Sequence, residues 1–125
     1  MHNEVDPRTP ARTVLLVEDE LDLAELVESA LAGEVVQVTH AHSVFEALST
    51  LGQDTHFDGA VLDVELRDGV VFPVADRLAD LGIPFLFASA VYEQLVPARH
   101  GQVPFVGKPF HVQALVQELD ALLPH

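Results

Sequence analysis

The chain has 125 residues, 49% of them hydrophobic, with no cysteine and a formal net charge of −14. That suits one domain with one ordinary core, which needs no disulfide or structural metal to fold. The missing thiols exclude thiolate nucleophiles and zinc–thiolate sites and fit a cytoplasmic location; the charge opposes binding to nucleic acid, and no apolar run approaches the ~20 residues of a membrane span.

Met1 to Arg12 is polar, carries Pro7 and Pro10 and has no apolar stretch of the signal-peptide kind. Residues 1–12 are therefore expected to form a disordered tail ahead of a domain over 13–125. Val14 to Val17 is a continuous apolar run, as in a strand buried on both faces. Leu23, Val27, Ala30 and Leu31 follow at helical spacing, and Gly33 stands where a helix would end. Val35 to Thr39 reads as a second strand. Ser43 is an expected N-cap, with Glu46 completing a capping box. Val44, Ala47, Leu48 and Leu51 stripe the second helix, and Gly52 closes it.

Gly59 to Asp63 is the third strand; Val71, Val74, Ala75 and Leu78 mark a third helix, with Pro73 in its first turn. Ile83 to Ala88 is the fourth strand. Val91 to Gln102, with Pro97 and Gly101, has too few apolar residues at a regular period to make a good helix. Val103 to Val106 is the fifth strand, and Val112 to Leu123 the best-patterned helix. The alternation predicts an α/β fold, a doubly wound (βα)5 parallel sheet with a weak or irregular fourth helix. In the flavodoxin-like strand order 2-1-3-4-5, a site forms beyond the carboxyl ends of strands 1 and 3.

The polar residues cluster there. Strand 1 ends in Glu18-Asp19, strand 3 in Asp63, strand 4 in Ser89 and strand 5 in Lys108-Pro109. At an effective dielectric near 20, one pair of carboxylates 4 Å apart costs ~4 kcal/mol. A hard divalent cation with oxygen ligands, Mg²⁺, relieves it. Lys108, the only lysine beside five arginines, supplies a compact ammonium for a phosphoryl oxygen, and Ser89 a hydroxyl. Together these are the parts of in-line phosphoryl transfer onto a carboxylate.

Val17-Glu18-Asp19-Glu20, Leu62-Asp63, Ala88-Ser89-Ala90 and Lys108-Pro109-Phe110 resemble, in order and each at a strand end, the hallmark segments of bacterial response-regulator receiver domains. The resemblance runs from about Thr13 to Leu123. It implies Asp63 as phosphoacceptor and Asp19 as a direct Mg²⁺ ligand (Mn²⁺ substituting), with Glu18 acting through water and the Glu65 main-chain carbonyl as a third protein ligand. It also implies Ser89 as switch hydroxyl, Lys108 as phosphoryl clamp, a cis Lys108-Pro109 bond and Phe105 at the aromatic switch position.

Val64-Glu65-Leu66-Arg67-Asp68-Gly69 departs from the common pattern: it is shorter and lacks the usual Met-Pro. Phe87-Ala88-Ser89-Ala90-Val91-Tyr92 resembles the signature of the "FAT GUY" receivers, with serine for threonine and Ala90 for glycine, and places Tyr92 in the switch. That subclass implies a sensor histidine kinase of HWE type, or a histidine phosphotransfer protein, as partner.

The seven histidines read as surface or loop residues, with His40 and His42 far from the site. Because the chain ends at His125 just after the last helix, a stand-alone receiver is expected, signalling through protein contacts or draining phosphoryl groups from a kinase. It would not be an enzyme beyond its own phosphorylation and dephosphorylation. An aspartate-nucleophile phosphohydrolase is the alternative, but that chemistry wants a second aspartate where Glu65 stands. A pseudo-receiver would lack the acceptor or the lysine.

Overall fold

In the computed structural model, residues 12–33, 36–91 and 93–124 are described. The expected tail lies outside them except for Arg12, which already belongs to the first strand. Strands β1 (Arg12–Val17), β2 (Val36–Ala41) and β3 (Gly59–Leu62) alternate with helices α1 (Leu21–Ala32) and α2 (Val44–Gln53). A short hairpin, β4 (Glu65–Leu66) and β5 (Gly69–Val70), precedes α3 (Phe72–Leu81); β6 (Phe85–Ser89), β7 (Phe105–Gly107) and α4 (Val112–Leu122) complete the chain. The sheet order β2-β1-β3-β6-β7, parallel throughout, is the expected 2-1-3-4-5 with the hairpin counted in.

Burial explains the sequence pattern. Every residue of β3 and β6 is buried, as are Val14 to Val17, because helices cover both faces of the central strands. Alternate residues serve opposite faces: Leu15, Val17, Leu62 and Phe87 pack with Ala47, Leu51, Val74 and Leu78 of α2 and α3. Val14, Leu16, Val61 and Leu86 pack with Val27, Leu31, Leu115 and Leu119 of α1 and α4. On the edge strands β2 and β7 burial is patchy.

Ser43 caps α2 as expected, its hydroxyl accepting from the Glu46 N–H at 3.0 Å. The Glu46 carboxylate reaches back one residue further than a capping box requires, to the N–H of His42. Helix α2 runs on through Gly52 to Gln53, one residue beyond the expected end. Helix α3 ends at Gly82, whose φ of 72° is the left-handed conformation that glycine adopts without a Cβ penalty.

Among the described residues, no α-helix forms between β6 and β7. Two 3₁₀ turns, Glu93–Leu95 and Ala98–His100, occupy the interval, matching its poor apolar period. The second is pinned to α3. Arg99 donates to both Asp76 oxygens, at 2.8 and 3.1 Å, and His100 Nε2–H donates to Asp76 Oδ1 at 2.7 Å. These bonds, Arg99's foremost, hold the Asp76 carboxyl below the usual carboxylate range. Contrary to the expectation for the histidines, His100 is 4% exposed, edge-on to Phe85 and Phe87. Asp76 meets its polar edge while the phenylalanines take the ring.

No helix among the described residues is long and apolar enough to cross a membrane. Replacing Asp76 with alanine should release the second 3₁₀ turn. Amide hydrogen exchange should quicken at residues 98–101 and stay unchanged in α4; unaltered protection at 98–101 would place the pin elsewhere.

Candidate functional site

The parallel ladders end in step. β1 and β3 pair Val17 with Leu62, so Glu18 and Asp63 leave the sheet side by side, and the Asp63 N–H still donates to the Val17 carbonyl at 2.9 Å. β6 and β7 pair Ser89 with Gly107, and the Lys108 N–H donates to the Ser89 carbonyl at 2.9 Å. Four side chains from four strand ends therefore meet. The Lys108-Pro109 bond is cis, as the resemblance implied.

Lys108 Nζ lies 2.9 Å from Glu18 Oε1, 3.0 Å from Asp63 Oδ2 and 3.2 Å from Glu20 Oε1. The Ser89 hydroxyl donates to Asp63 Oδ1 at 2.7 Å. Glu18, Asp63 and Ser89 are all buried. Burial pushes the Glu18 carboxyl up; hydrogen bonds from Lys108 and the Glu20 N–H oppose it, and the Asp63 charge adds to it. For Lys108, burial alone would favour the neutral amine, but hydrogen bonds to Glu18 and Asp63 and their charges outweigh it and hold the ammonium well above its ordinary range.

Oxygens of Glu18, Glu20 and Asp63 lie within 4.8 Å of one another. Three carboxylates here share one ammonium. The donors are all hard oxygens, one of them on the solvent-exposed Glu20. Carboxylates with room for water suit Mg²⁺ or Mn²⁺, so the residues present fit the expected metal.

The third member of this cluster is Glu20; Asp19, half-buried between the two glutamates, does not belong to it. The run Glu18-Asp19-Glu20 carried the signal for Glu20. Its N–H turns back onto Glu18 Oε2 at 3.0 Å, and a glutamate's length then reaches Lys108. Glu65 projects an exposed side chain from β4. Phe105 is half-buried on β7, its ring 6.3 Å from that of Phe87. It borders a cavity of about 110 Å³ shared with Glu93, Val96 and His100. Tyr92 lies outside the described residues.

His40 is not remote. β2 lies against β1 with Leu16 opposite His40, and His40 Nε2 is 2.6 Å from the Glu18 carbonyl oxygen. A carbonyl only accepts, so Nε2 carries the proton. The reading from sequence overlooked that the end of an adjacent parallel strand abuts the site. A groove of about 540 Å³ shares Glu20 and Lys108 with the cluster and is walled by Leu23 and Leu26 of α1 and by Pro109 and Phe110.

No family model matches the chain. The probable transcriptional regulatory protein TcrX of Mycobacterium tuberculosis is 34% identical over 116 residues, 89% of this chain and 49% of TcrX. The chain thus spans about half the length of the curated relatives it matches. The non-phosphorylated HemR receiver domain of Leptospira biflexa superposes with a TM-score of 0.77 at 29% identity, over 91% of this chain and 98% of that one. SdrG of Sphingomonas melonis gives 0.76 at 33% identity over 91% and 98%. With its parallel sheet, its acidic cluster and its lysine on the loop after β7, this chain belongs to the receiver domains of two-component response regulators.

Lys108→Met leaves the carboxylates without their ammonium. Urea unfolding at pH 7 should show a loss of about 1–3 kcal/mol, less than for a fully buried pair because Glu20 is open to water. Glu18 takes up its proton at higher pH in the fold than its ordinary value of 4.5. The wild type therefore loses Glu18's contribution as pH rises through the folded value, and the penalty of Lys108→Met should shrink as pH falls through the same window. A pH-independent penalty would contradict the coupling.

Proposed function

We propose that this receiver accepts a phosphoryl group on Asp63 from a sensor histidine kinase or a histidine phosphotransfer protein. The observation that carries this reading is the placement of Asp63: its Oδ1 faces Ser89 and its Oδ2 faces Lys108, beside two further carboxylates. A carboxylate oxygen of Asp63 attacks phosphorus, the bond from phosphorus to the donor imidazole nitrogen breaks, and the imidazole keeps that electron pair. Lys108 bears on a phosphoryl oxygen throughout. Ser89 exchanges one charged acceptor, Asp63 Oδ1, for another on the phosphoryl group. Each such bond is worth about 1.5–3 kcal/mol, so the exchange is nearly balanced and reversible.

Glu18, Glu20 and Asp63, with the neighbouring Asp19 and the Glu65 carbonyl, are the groups that would hold Mg²⁺ or Mn²⁺. Bound there, the ion supplies neutralisation of the charge that builds on the phosphoryl oxygens. The protein's own turnover is confined to forming and hydrolysing its aspartyl phosphate. The net charge of −14 favours output through protein contacts over nucleic acid. The likeness of residues 87–92 to the FAT GUY signature supports an HWE-type donor, and withdrawal of phosphoryl groups from that donor is the second reading of the output.

The groove beside Lys108 gives the donor protein an apolar landing next to Asp63. Leu26, 52% exposed, stands on its wall. Incubation with a small phosphodonor and Mg²⁺ should add the mass of one phosphoryl group. Asp63→Asn should add none, and Lys108→Arg should react slowly, because a planar guanidinium is a poor substitute for a point-like ammonium. Labelling of Asp63→Asn at another residue, or full labelling in chelator, would refute the assignment. Leu26→Asp should slow transfer from the kinase and leave the small donor unaffected; equal slowing of both would remove the groove from donor docking.

A further inference from the structure

The segment after the acceptor is a hairpin with an outside anchor. Val64, Leu66 and Val71 are buried, fixing its base on the core. Glu65 pairs with Val70 and Leu66 with Gly69, so Arg67 and Asp68 form a two-residue loop. Gly69, at φ 142°, takes a conformation that a side chain resists. At the loop tip Asp68 turns away from its own hairpin. Its Oδ1 accepts from the Val44 N–H at 2.8 Å and its Oδ2 from the Phe45 N–H at 3.0 Å.

These are two of the donors that a helix start leaves without intrahelical partners. The Ser43 hydroxyl satisfies the next, Glu46 N–H, and the Ser43 carbonyl accepts the first regular helical bond, from Ala47 N–H. The negative carboxylate also meets the positive end of the α2 dipole. One aspartate thus joins the loop after Asp63 to the start of the helix that follows β2.

The joint bears on Glu65. The hairpin bond beside it runs from Val71 N–H to the Val64 carbonyl, at 2.9 Å. Glu65 and Val70 are therefore a non-hydrogen-bonded pair, and the Glu65 carbonyl points away from the opposite hairpin strand. It is left available to a ligand, and its direction is set by the hairpin's register.

We propose that Asp68 is a positioning residue for the acceptor site: by stapling the hairpin to the start of α2 it fixes the orientation of the Glu65 carbonyl as a metal ligand. This rests on the functional reading above. Asp68 touches no reacting atom and acts through the backbone of residues 64–71.

The test compares wild type, Asp68→Ala, Asp68→Asn and Ser43→Ala by Mg²⁺ titration calorimetry and by amide exchange without metal. Ser43→Ala removes a cap from the same helix while sparing the hairpin, so it reports the effect of weakening α2 alone. Asp68→Ala should weaken Mg²⁺ binding about tenfold, as loss of an orienting partner does, and should quicken exchange at 64–71. Asp68→Asn, keeping one acceptor oxygen, should fall between it and wild type, and Ser43→Ala should bind Mg²⁺ as wild type does. Wild-type affinity in Asp68→Ala, or equal loss in Ser43→Ala, overturns the role of Asp68. Failure of the wild type to bind Mg²⁺ overturns the functional reading and, with it, Glu65 as a ligand, whatever the exchange at 64–71.

Discussion

One ammonium holds the carboxyl edge of this sheet together. Lys108 faces three carboxylates from two different strand ends at 2.9 to 3.2 Å. Without it, those carboxylates would have to neutralise or separate. The sheet makes the meeting obligatory. Because β1, β3, β6 and β7 are parallel and in step, every strand delivers its last residue to the same edge. Parallel pairing therefore brings acidic groups into a contact that an isolated loop would avoid.

The same geometry explains why Lys108 has so little freedom. Its backbone continues the β6–β7 ladder through Ser89, and its side chain is nearly covered. A group so restrained is a fixed positive point, as the proposed phosphoryl transfer onto Asp63 requires. Ser89 is held likewise, its carbonyl accepting from Lys108 and its hydroxyl donating to Asp63. Asp63, Lys108 and Ser89 form one connected set of bonds, so a change at one is felt at the others.

The strands and helices were legible because their signals are local. Apolar runs such as Val14 to Val17 mark buried central strands, and the stripe ending at Leu119 and Leu122 marks α4. The poor period of residues 91–102 announced a weak or irregular helix, and two 3₁₀ turns stand there in its place. What escaped was non-local. Asp68 caps a helix 23 and 24 residues away, and Asp76 holds residues 23 and 24 positions further on. His40 reaches the Glu18 carbonyl only because β2 lies beside β1. Glu20 was visible as a residue but not as a cluster member, since its place depends on the turn that its own N–H makes onto Glu18.

The pin on α3 limits what another protein can read from this domain. Ser89 sits at one end of the stretch and the Arg99–His100–Asp76 contacts at the other. A rearrangement starting at Ser89 would run out at residue 98, where the chain is tethered. On the proposed function, the surface that differs between the phosphorylated and free states is the strip ahead of that tether, with the neighbouring Phe105, bordering the small cavity of Glu93, Val96 and His100. A partner that distinguishes those states has to place its contacts on that strip.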